Sequence, residues 1–381
     1  MKKVILLVVL AFVCLVPTAF GAAPAKNFVI VDAKSNESFV PIRFLNGYNG
    51  TTVTWTAADQ RIDIVKEQTK LTLFVGKTTG TLNEEPVQLT GAPFNDNGVT
   101  YVPLQVVSKA LNMQVTWDKE LSSVKLNQDD VSAASLPFLT RDKNGNVNNS
   151  KPIVSEKKTF KVGKKSFTVQ MVTISLLHPK IDMDVVLAGN TIGKVEELSS
   201  LAKRNNAAVA INGTFFDAYT TGDYKAPYGY IISGNEILKQ SGGDRRTVFT
   251  YDKNHLVELI PGMDFLDRFK LGTIEGGLQA GPRLLTNGKV TIDVVKEGFK
   301  DPKILTGGGA RSALGITRDH KLILITTGGA TIPQLAEIMK QAGAYQAMNL
   351  DGGASSGLYY NGKYITTPGR KISNAIVIKY Q

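Results

Sequence analysis

Two short patterns occur twice in the first third of the chain. Residues 39–42 (FVPI) recur as 101–104 (YVPL), and residues 53–55 (VTW) recur as 115–117, each time 62 positions later. In both copies a helix-like segment follows the proline, and a strand surrounds the tryptophan. A repeat of this kind predicts the duplication of one supersecondary unit. We therefore expect a small, duplicated α+β module over residues 22–127.

This duplicated pattern resembles the N-terminal domain of copper amine oxidases, over residues 28–126. The resemblance implies an accessory unit that precedes the main domain. The stretch contains no histidine, so we expect no copper site there. The sequence leaves two roles open for the module, attachment to the cell wall and a plain structural spacer.

The first residues have the pattern of a secretory signal peptide. Lys2 and Lys3 form a positive start, residues 4–16 are apolar, and residues 19–21 (AFG) offer the small residues of a cleavage site. The apolar run is shorter than the roughly 20 residues that a spanning helix needs, although failed cleavage would leave it as an anchor. We expect cleavage after Gly21, no transmembrane anchor afterwards, and a protein that is secreted or associated with the cell wall.

The single cysteine and the net charge exclude several classes of function. Cys14 is the only cysteine and would leave with the signal peptide, which excludes disulfides and thiol chemistry in the mature chain. The net charge of +11 suits an anionic substrate or an anionic cell-wall polymer as partner. No basic cluster is interleaved with aromatic residues, so we do not expect the protein to bind nucleic acid.

The three histidines are at no ligand spacing and are interpreted as surface or loop residues.

Residues 128–152 are rich in Asp, Asn, Ser and Lys and are predicted to be a linker. From 153 to 381 strands alternate with helices, the clearest helices being 195–204 and 333–342. We expect an α+β fold here, a mixed β-sheet catalytic domain with packed helices. Residues 198–212 and 335–349 also align, 137 positions apart, and each ends in Asn before a turn.

Five short motifs in this region combine a polar or charged residue with small ones. They are 212–217 (NGTFFD), 281–283 (GPR), 310–315 (ARSALG), 349–355 (NLDGGAS) and 370–375 (RKISNA). Glycines allow the backbone to approach a ligand closely, and arginines offer paired donors to a phosphate. Asp351 is the sole acid within its motif.

These five motifs, in this order, resemble the phosphodiester glycosidase family over residues 165–380. The resemblance implies a hydrolase of sugar-1-phosphodiesters, with N-acetylglucosamine as the expected sugar. Such a substrate has a phosphate monoester as its leaving group, so it needs anion binding and one carboxylate more than it needs a strong general acid.

We hypothesise that Asp351 is the catalytic carboxylate and that Arg311 and Arg370 bind the phosphate. Asn212, Asn349 and Asn374 would orient sugar hydroxyls or the attacking water. The full set of candidates is Asp351, Asn212 and Asp217 for catalysis, and Arg311, Arg370, Arg283, Asn349, Gly352, Gly353, Ser355, Asn374 and Phe216 for substrate contacts.

Two other functions stay open at this stage. The first is a metal-dependent phosphodiesterase, with Asp351 and either Asp217 or Glu275 around Mg²⁺ or Ca²⁺. The second is a non-catalytic protein that binds the cell wall or a polysaccharide. The sequence requires no cofactor and leaves a divalent cation open.

Overall fold

The computed structural model describes residues 25–127, 133–145, 147 and 151–381, in which β-strands dominate. Strands hold 47% of the residues and helices 13%. The predicted α+β class is therefore confirmed only in part, because the helices are few and short. The predicted signal peptide, with Cys14, lies outside the described residues.

The N-terminal module contains two sheets among the described residues. Its elements are β1 (Val29–Asp32), β2 (Ser38–Pro41), α1 (Ile42–Leu45), β3 (Thr52–Thr56), β4 (Arg61–Lys66), β5 (Thr69–Phe74), β6 (Thr79–Leu82), β7 (Glu85–Gln88), β8 (Phe94–Asp96), β9 (Val99–Pro103), α2 (Leu104–Ala110), β10 (Gln114–Asp118), β11 (Ser123–Asn127) and β12 (Ala134–Arg141). One sheet has the order β10-β11-β12-β1-β2-β9-β8 and the other β3-β4-β5-β6-β7. Each repeated motif becomes a strand, a short helix and a hairpin, namely β2-α1-β3-β4 and β9-α2-β10-β11. The duplication itself stays a prediction.

Part of the predicted linker is a strand of this module. β12 pairs in parallel with β1 and antiparallel with β11, and it buries Leu136 and Leu139. The prediction of a linker over 128–152 is therefore wrong for residues 134–141. The polar residues on either side of β12 hid its short run of apolar residues, and Pro137 argued against a strand inside a sheet.

The C-terminal region contains three sheets among the described residues. Its elements are β13 (Ile153–Val162), β14 (Lys165–Ser175), β15 (Ile181–Leu187), α3 (Leu198–Arg204), β16 (Ala207–Asn212), β17 (Ile231–Ser233), β18 (Glu236–Lys239), β19 (Val248–Asp252), β20 (Val257–Ile260), α4 (Phe265–Phe269), β21 (Ile274–Gln279), β22 (Arg283–Thr286), β23 (Lys289–Val290), α5 (Pro302–Leu305), β24 (Gly309–Ile316), β25 (Lys321–Ala330), α6 (Ile332–Gln341), β26 (Gln346–Asn349), β27 (Leu358–Tyr360), β28 (Lys363–Thr366) and β29 (Asn374–Tyr380). The sheet orders are β13-β14-β25-β24-β26-β22-β23, β15-β29-β16-β27-β28 and β18-β17-β21-β19-β20. The pairs described in this region, unlike the β1–β12 pair, are antiparallel.

The core of this region lies between the three sheets, because side chains alternate across each strand. On β24, Leu314 points into the central core while Ala313 packs against α6 on the other face. The helix α3 covers the outer face of β16 and β29. Thr331 caps α6 with a capping box, and Pro333 lies in its first turn, so local signals fix where this helix begins.

Buried polar contacts join the N-terminal module to the C-terminal region. Lys26 Nζ donates to the carbonyl of His178 at 3.1 Å, and His320 Nε2 lies 2.9 Å from the carbonyl of Ser122. Burial lowers the pKa of His320 to about 4, so the ring is neutral. His255 and His320 lie in loops, as one of the two predicted alternatives had it, but both are buried and neither is at the surface. Among the described residues, no helix combines the length and apolar character that crossing a bilayer requires.

Candidate active site

Asn212 joins the ends of strands from two sheets. It is the last residue of β16, and its Nδ2 donates to the carbonyl of Asp351 at 2.7 Å. Its Oδ1 accepts hydrogen bonds from Ser312 Oγ at 2.7 Å and from the backbone N–H of Gly357 at 3.0 Å. The side chain is 1% exposed. Asn212 therefore holds the loop that carries Asp351, and its contacts do not support direct catalysis.

Asn374 forms a second buried network next to the first. Its Oδ1 accepts from the backbone N–H of Thr214 at 3.0 Å, and its Nδ2 donates to Thr214 Oγ1 at 2.7 Å and Ser373 Oγ at 2.8 Å. A Cβ atom at Gly213 would lie 2.0 Å from Asn374 Oδ1, so only glycine fits there. These contacts position the 212–217 motif and occupy the amide that was predicted to contact substrate.

Asn349 links the 349–355 motif to the 281–283 motif. Its Nδ2 donates to the carbonyls of Gly281 at 2.9 Å and Leu350 at 2.6 Å, and its backbone carbonyl accepts from the N–H of Gly281 at 2.9 Å. Its Oδ1 is buried without a hydrogen-bond partner among the described residues. Asn349 is fully buried, so its role is also to hold the motifs together.

Asp351 begins a glycine loop at the end of β26. Its backbone N–H donates to the carbonyl of Gly213 at 3.0 Å, and its Oδ1 accepts from the N–H of Gly352 at 2.8 Å. A Cβ atom at Gly352 would lie 2.8 Å from the carbonyl oxygen of Ala310, which is why glycine is needed at this crossing. The loop continues through a 3₁₀ turn over Gly353–Ser355.

The carboxyl group of Asp351 has an unusual protonation equilibrium. Burial raises its pKa to about 6, against the opposing effects of hydrogen bonds from Ser355 and Gly352 and of the positive charge of Arg370. A half-buried acid that changes charge near neutral pH is typical of a catalytic group. The interaction with Arg370 also shows that the two predicted residues share one electrostatic environment.

Arg370 reaches an exposed tyrosine that the sequence analysis missed. Its Nη2 donates to Tyr219 Oη at 3.0 Å, and its guanidinium lies 4.9 Å from the centre of the Tyr219 ring. The hydrogen bond from Arg370 lowers the pKa of Tyr219, helped by the charges of Arg370 and Lys303 and opposed by the charge of Asp351. Tyr219 is 77% exposed, so this group of residues faces solvent. The only signal in the sequence was the position of Tyr219 just after the 212–217 motif.

Arg311 does not have the contacts of a phosphate ligand. Its Nε donates to the carbonyl of Ala330 at 2.9 Å, and its Nη2 donates to the carbonyls of Lys303 at 2.6 Å and Gly307 at 2.8 Å. The residue is 4% exposed. Arg311 and Ser312 are neighbours on β24 and point to opposite faces, so Arg311 fixes the backbone at Lys303 while Ser312 faces Asn212. The structure thus corrects the predicted role of Arg311.

The guanidinium of Arg283, like that of Arg311, donates hydrogen bonds to groups of the protein. Its Nε donates to the carbonyl of Leu285 at 3.1 Å, its Nη1 to the carbonyl of Leu259, and its Nη2 to Gln346 Oε1 at 2.6 Å. Burial lowers the pKa of its guanidinium. These contacts do not support the predicted role in substrate binding, and Arg283 instead joins β22 to β20 and β26.

Asp217 and Glu275 are the other carboxylates considered for the site, and Asp217 has a local structural role. Asp217 Oδ1 accepts from the backbone N–H groups of Tyr219 at 3.3 Å and Thr220 at 3.1 Å, which fixes the turn that carries Tyr219. Phe216 is half-buried in the same loop. Glu275 is exposed on β21, in another sheet. Within the described ranges, no three His, Cys, Asp or Glu side chains are grouped so that they could hold a metal ion.

A cleft of about 270 Å³ opens beside the glycine loop. Gly353 and Gly369, which are close in sequence to Asp351 and Arg370, line it together with six hydroxyl side chains. Those hydroxyl residues are Thr168, Thr326, Thr327, Thr366, Thr367 and Ser356. Ser356 Oγ is buried and has no hydrogen-bond partner among the described residues. A neutral cleft rich in hydroxyl groups beside an acid and an arginine suits a polar substrate with an anionic part.

The described residues form a β-rich protein in which polar residues of the sequence motifs meet at the ends of strands. Residues 205–379 match the family described as phosphodiester glycosidase, and residues 27–126 match the copper amine oxidase N-terminal domain. These matches confirm the resemblance of the chain to the phosphodiester glycosidase family, with a segment that resembles the copper amine oxidase N-terminal domain before it.

Two solved structures show the same fold at low sequence identity. A hypothetical protein from Synechocystis superposes with a TM-score of 0.54 at 13% identity, over 95% of this chain and 100% of that one. The catalytic domain of zebrafish N-acetylglucosamine-1-phosphodiester α-N-acetylglucosaminidase, auto-inhibited by its pro-peptide, superposes with a TM-score of 0.53 at 22% identity, over 61% of this chain and 85% of that one. A search of curated proteins finds no sequence match.

Proposed function

We propose that this protein hydrolyses the glycosidic bond of sugar-1-phosphodiesters, with N-acetylglucosamine-1-phosphodiesters as the expected type. The observation that carries the proposal is the raised pKa of Asp351, about 6, together with the effect of the positive charge of Arg370 on this carboxyl group, which supports an acid and a cation acting in one site. The match to the phosphodiester glycosidase family and the likeness to the zebrafish enzyme support the choice of reaction.

The chemistry needs few groups because the leaving group is good. Water attacks the anomeric carbon, the bond from this carbon to the phosphate oxygen breaks, and the electron pair leaves with the phosphate monoester. Asp351, when ionised, accepts the proton of the attacking water and offsets the positive charge that develops on the sugar ring. Arg370 and Lys303 stabilise the charge of the departing phosphate. The cleft lined by threonines receives the sugar hydroxyls.

Replacing Arg370 with Ala tests the phosphate contact. We expect kcat/KM for a phosphodiester to fall about 10- to 100-fold, because a charge-assisted hydrogen bond contributes about 1.5–3 kcal/mol. Arg370→Lys should recover part of the loss, since it keeps the charge without the paired donors. Lys371→Ala is the matched control, because it removes the same charge from the exposed next position. Equal losses in Arg370→Ala and Lys371→Ala would remove Arg370 from the site.

The pH dependence of kcat/KM tests the protonation state of Asp351. The pKa of Asp351 is about 6, so the carboxylate is the main form above that pH. As a base it should give activity that falls tenfold per pH unit well below about pH 6 and reaches a plateau above it. A flat profile between pH 5 and 7, or activity that falls as the pH rises through 6, contradicts the assignment.

The metal-dependent phosphodiesterase is distinguished by its products. With an alkyl N-acetylglucosamine-1-phosphodiester, the glycosidase releases free reducing sugar and an alkyl phosphate. A phosphodiesterase releases sugar 1-phosphate and the alcohol, and EDTA should inhibit it. We expect the first pair of products and no loss of activity in EDTA. Because Asp217 caps its own turn and Glu275 belongs to another sheet, neither supports the metal site that the second function needs.

We further propose that the protein is exported, with cleavage after Gly21, and acts on cell-wall or exopolysaccharide material. The apolar run and the small residues before Ala22 support this. We also propose that the catalytic domain spans 153–381, since β13 and β14 continue the sheet of β25 and β24 although the family match begins at residue 205.

A further inference from the structure

Both tryptophans of the chain are exposed, and they lie at matching places in the N-terminal module. Trp55 on β3 is 39% exposed and Trp117 on β10 is 43% exposed. Both strands are at the edge of a sheet, and both show the same order of exposed and half-buried positions. Tryptophan combines a large apolar ring with a polar N–H and is enriched at interfaces, so two indoles exposed at matching edge positions suggest an interaction surface.

Trp117 borders a groove of substantial size. The groove has a volume of about 510 Å³ and lies between α2 and the edge of the seven-stranded sheet. The ring of Phe138 is 5.3 Å from that of Trp117, with an angle of 72° between their planes, and holds the indole in place. Val115 lies on the same face of β10 and extends the apolar floor.

Polar side chains also line this groove. Asn36, Glu37 and Gln105 all line it, and no hydrogen bond within the described residues uses their side-chain atoms. Amide and carboxylate groups of this kind can donate to and accept from hydroxyl groups. A flat aromatic ring in the same groove as such groups is complementary to a pyranose, which has apolar C–H faces and a polar edge.

The charge of the lining selects among polysaccharides. The described residues around the groove include the acid Glu37 and no lysine or arginine. A polyanion such as a teichoic-type polymer would meet no cation and one negative charge, which disfavours it. The net positive charge of the whole chain does not extend into this groove.

We propose that the Trp117 groove is a binding site for a neutral polysaccharide chain, separate from the site at Asp351. On the function proposed above, it would hold the protein on an uncharged polymer while the catalytic domain cleaves sugar-1-phosphodiesters nearby. The ligand is recognised by one sugar ring stacked on Trp117 and by hydrogen bonds from its hydroxyls to Asn36, Glu37 and Gln105. This replaces the expected attachment to an anionic wall polymer with attachment to an uncharged one.

Tryptophan fluorescence of the full-length protein tests this proposal, because the chain has only two tryptophans. In Trp55→Phe, the remaining signal comes from Trp117 alone. We expect titration with chitohexaose or cellohexaose to shift this emission, and we expect no shift with poly(glycerol phosphate). Neither neutral probe contains a phosphodiester, so Asp351→Asn should bind it as the wild type does. Failure of the proposed hydrolysis would leave this result unchanged.

Two alanine variants complete the test. Trp117→Ala should weaken binding of the neutral probe at least tenfold by calorimetry, and Gln105→Ala should weaken it severalfold. Trp55→Ala is the matched control, because it removes the equivalent exposed indole and should bind within twofold of the wild type. Unchanged binding in both Trp117→Ala and Gln105→Ala, absence of binding to both neutral probes, or preference for the polyanion would overturn the proposal.

Discussion

Asp351→Asn is expected to lower kcat by about 10³-fold or more without unfolding the protein, because it removes the group that accepts a proton from water. The amide keeps an oxygen for the N–H of Gly352, so the glycine loop keeps its hydrogen bond. The measurement is kcat on a sugar-1-phosphodiester, with circular dichroism as the check on folding. Asp217→Asn is the matched control at the same end of the molecule and should keep most of its turnover.

Asp351→Asn should also change how the free energy of unfolding depends on pH. The folded-state pKa of Asp351 is raised from 3.8 to about 6, so the folded protein binds this proton more tightly than the unfolded chain. That contribution is complete below about pH 4 and is lost as the pH rises through 6. Relative to Asp351→Asn, the wild type should therefore lose about 2 kcal/mol of unfolding free energy between pH 4 and 7. A pH-independent difference would show that Asp351 titrates normally.

Asn212→Ala is expected to destabilise the protein by about 3 kcal/mol, because it leaves three buried partners unsatisfied. Those partners are the carbonyl of Asp351, Ser312 Oγ and the N–H of Gly357. Activity should fall as well, since the carbonyl of Asp351 loses its anchor. Urea unfolding monitored by circular dichroism gives the free energy.

Ser312→Ala provides the graded control for that network. It removes one of the three hydrogen bonds and should cost about 1 kcal/mol. If Asn212→Ala were within about 0.5 kcal/mol of the wild type, a typical surface effect, the buried network would not hold the loop in solution.

The sequence predicted the order of elements better than the sheets they form. The helix α6 was visible from Pro333 and its apolar face, and the helix–strand units that end in Asn212 and Asn349 were visible from their alignment. The partners of each strand were not visible, because the contacts in the sheets join residues far apart in the chain. β12 was missed for a related reason, since its pairing with β1 outweighs its local composition.

The sequence indicated the motifs of the site, but several side chains predicted to contact substrate bind the protein in the structure. Glycines and asparagines marked where strands end, and the structure brings these ends together. Whether a polar side chain faces substrate or backbone depends on which face of the strand it occupies. Arg311 and Asn212 point inward and bind the protein, whereas Arg370 points to the exposed Tyr219. No local pattern distinguishes these cases.

Hydrolysis in water labelled with ¹⁸O tests the central claim most directly, because it identifies the bond that breaks. Cleavage at the anomeric carbon places the oxygen of water on the sugar, so mass spectrometry should find the released phosphate monoester unlabelled. Cleavage at phosphorus would place the label in the phosphate. An unlabelled phosphate with the wild type, and no product with Asp351→Asn, is the result that we expect. A labelled phosphate would contradict the assignment of this protein as a glycosidase.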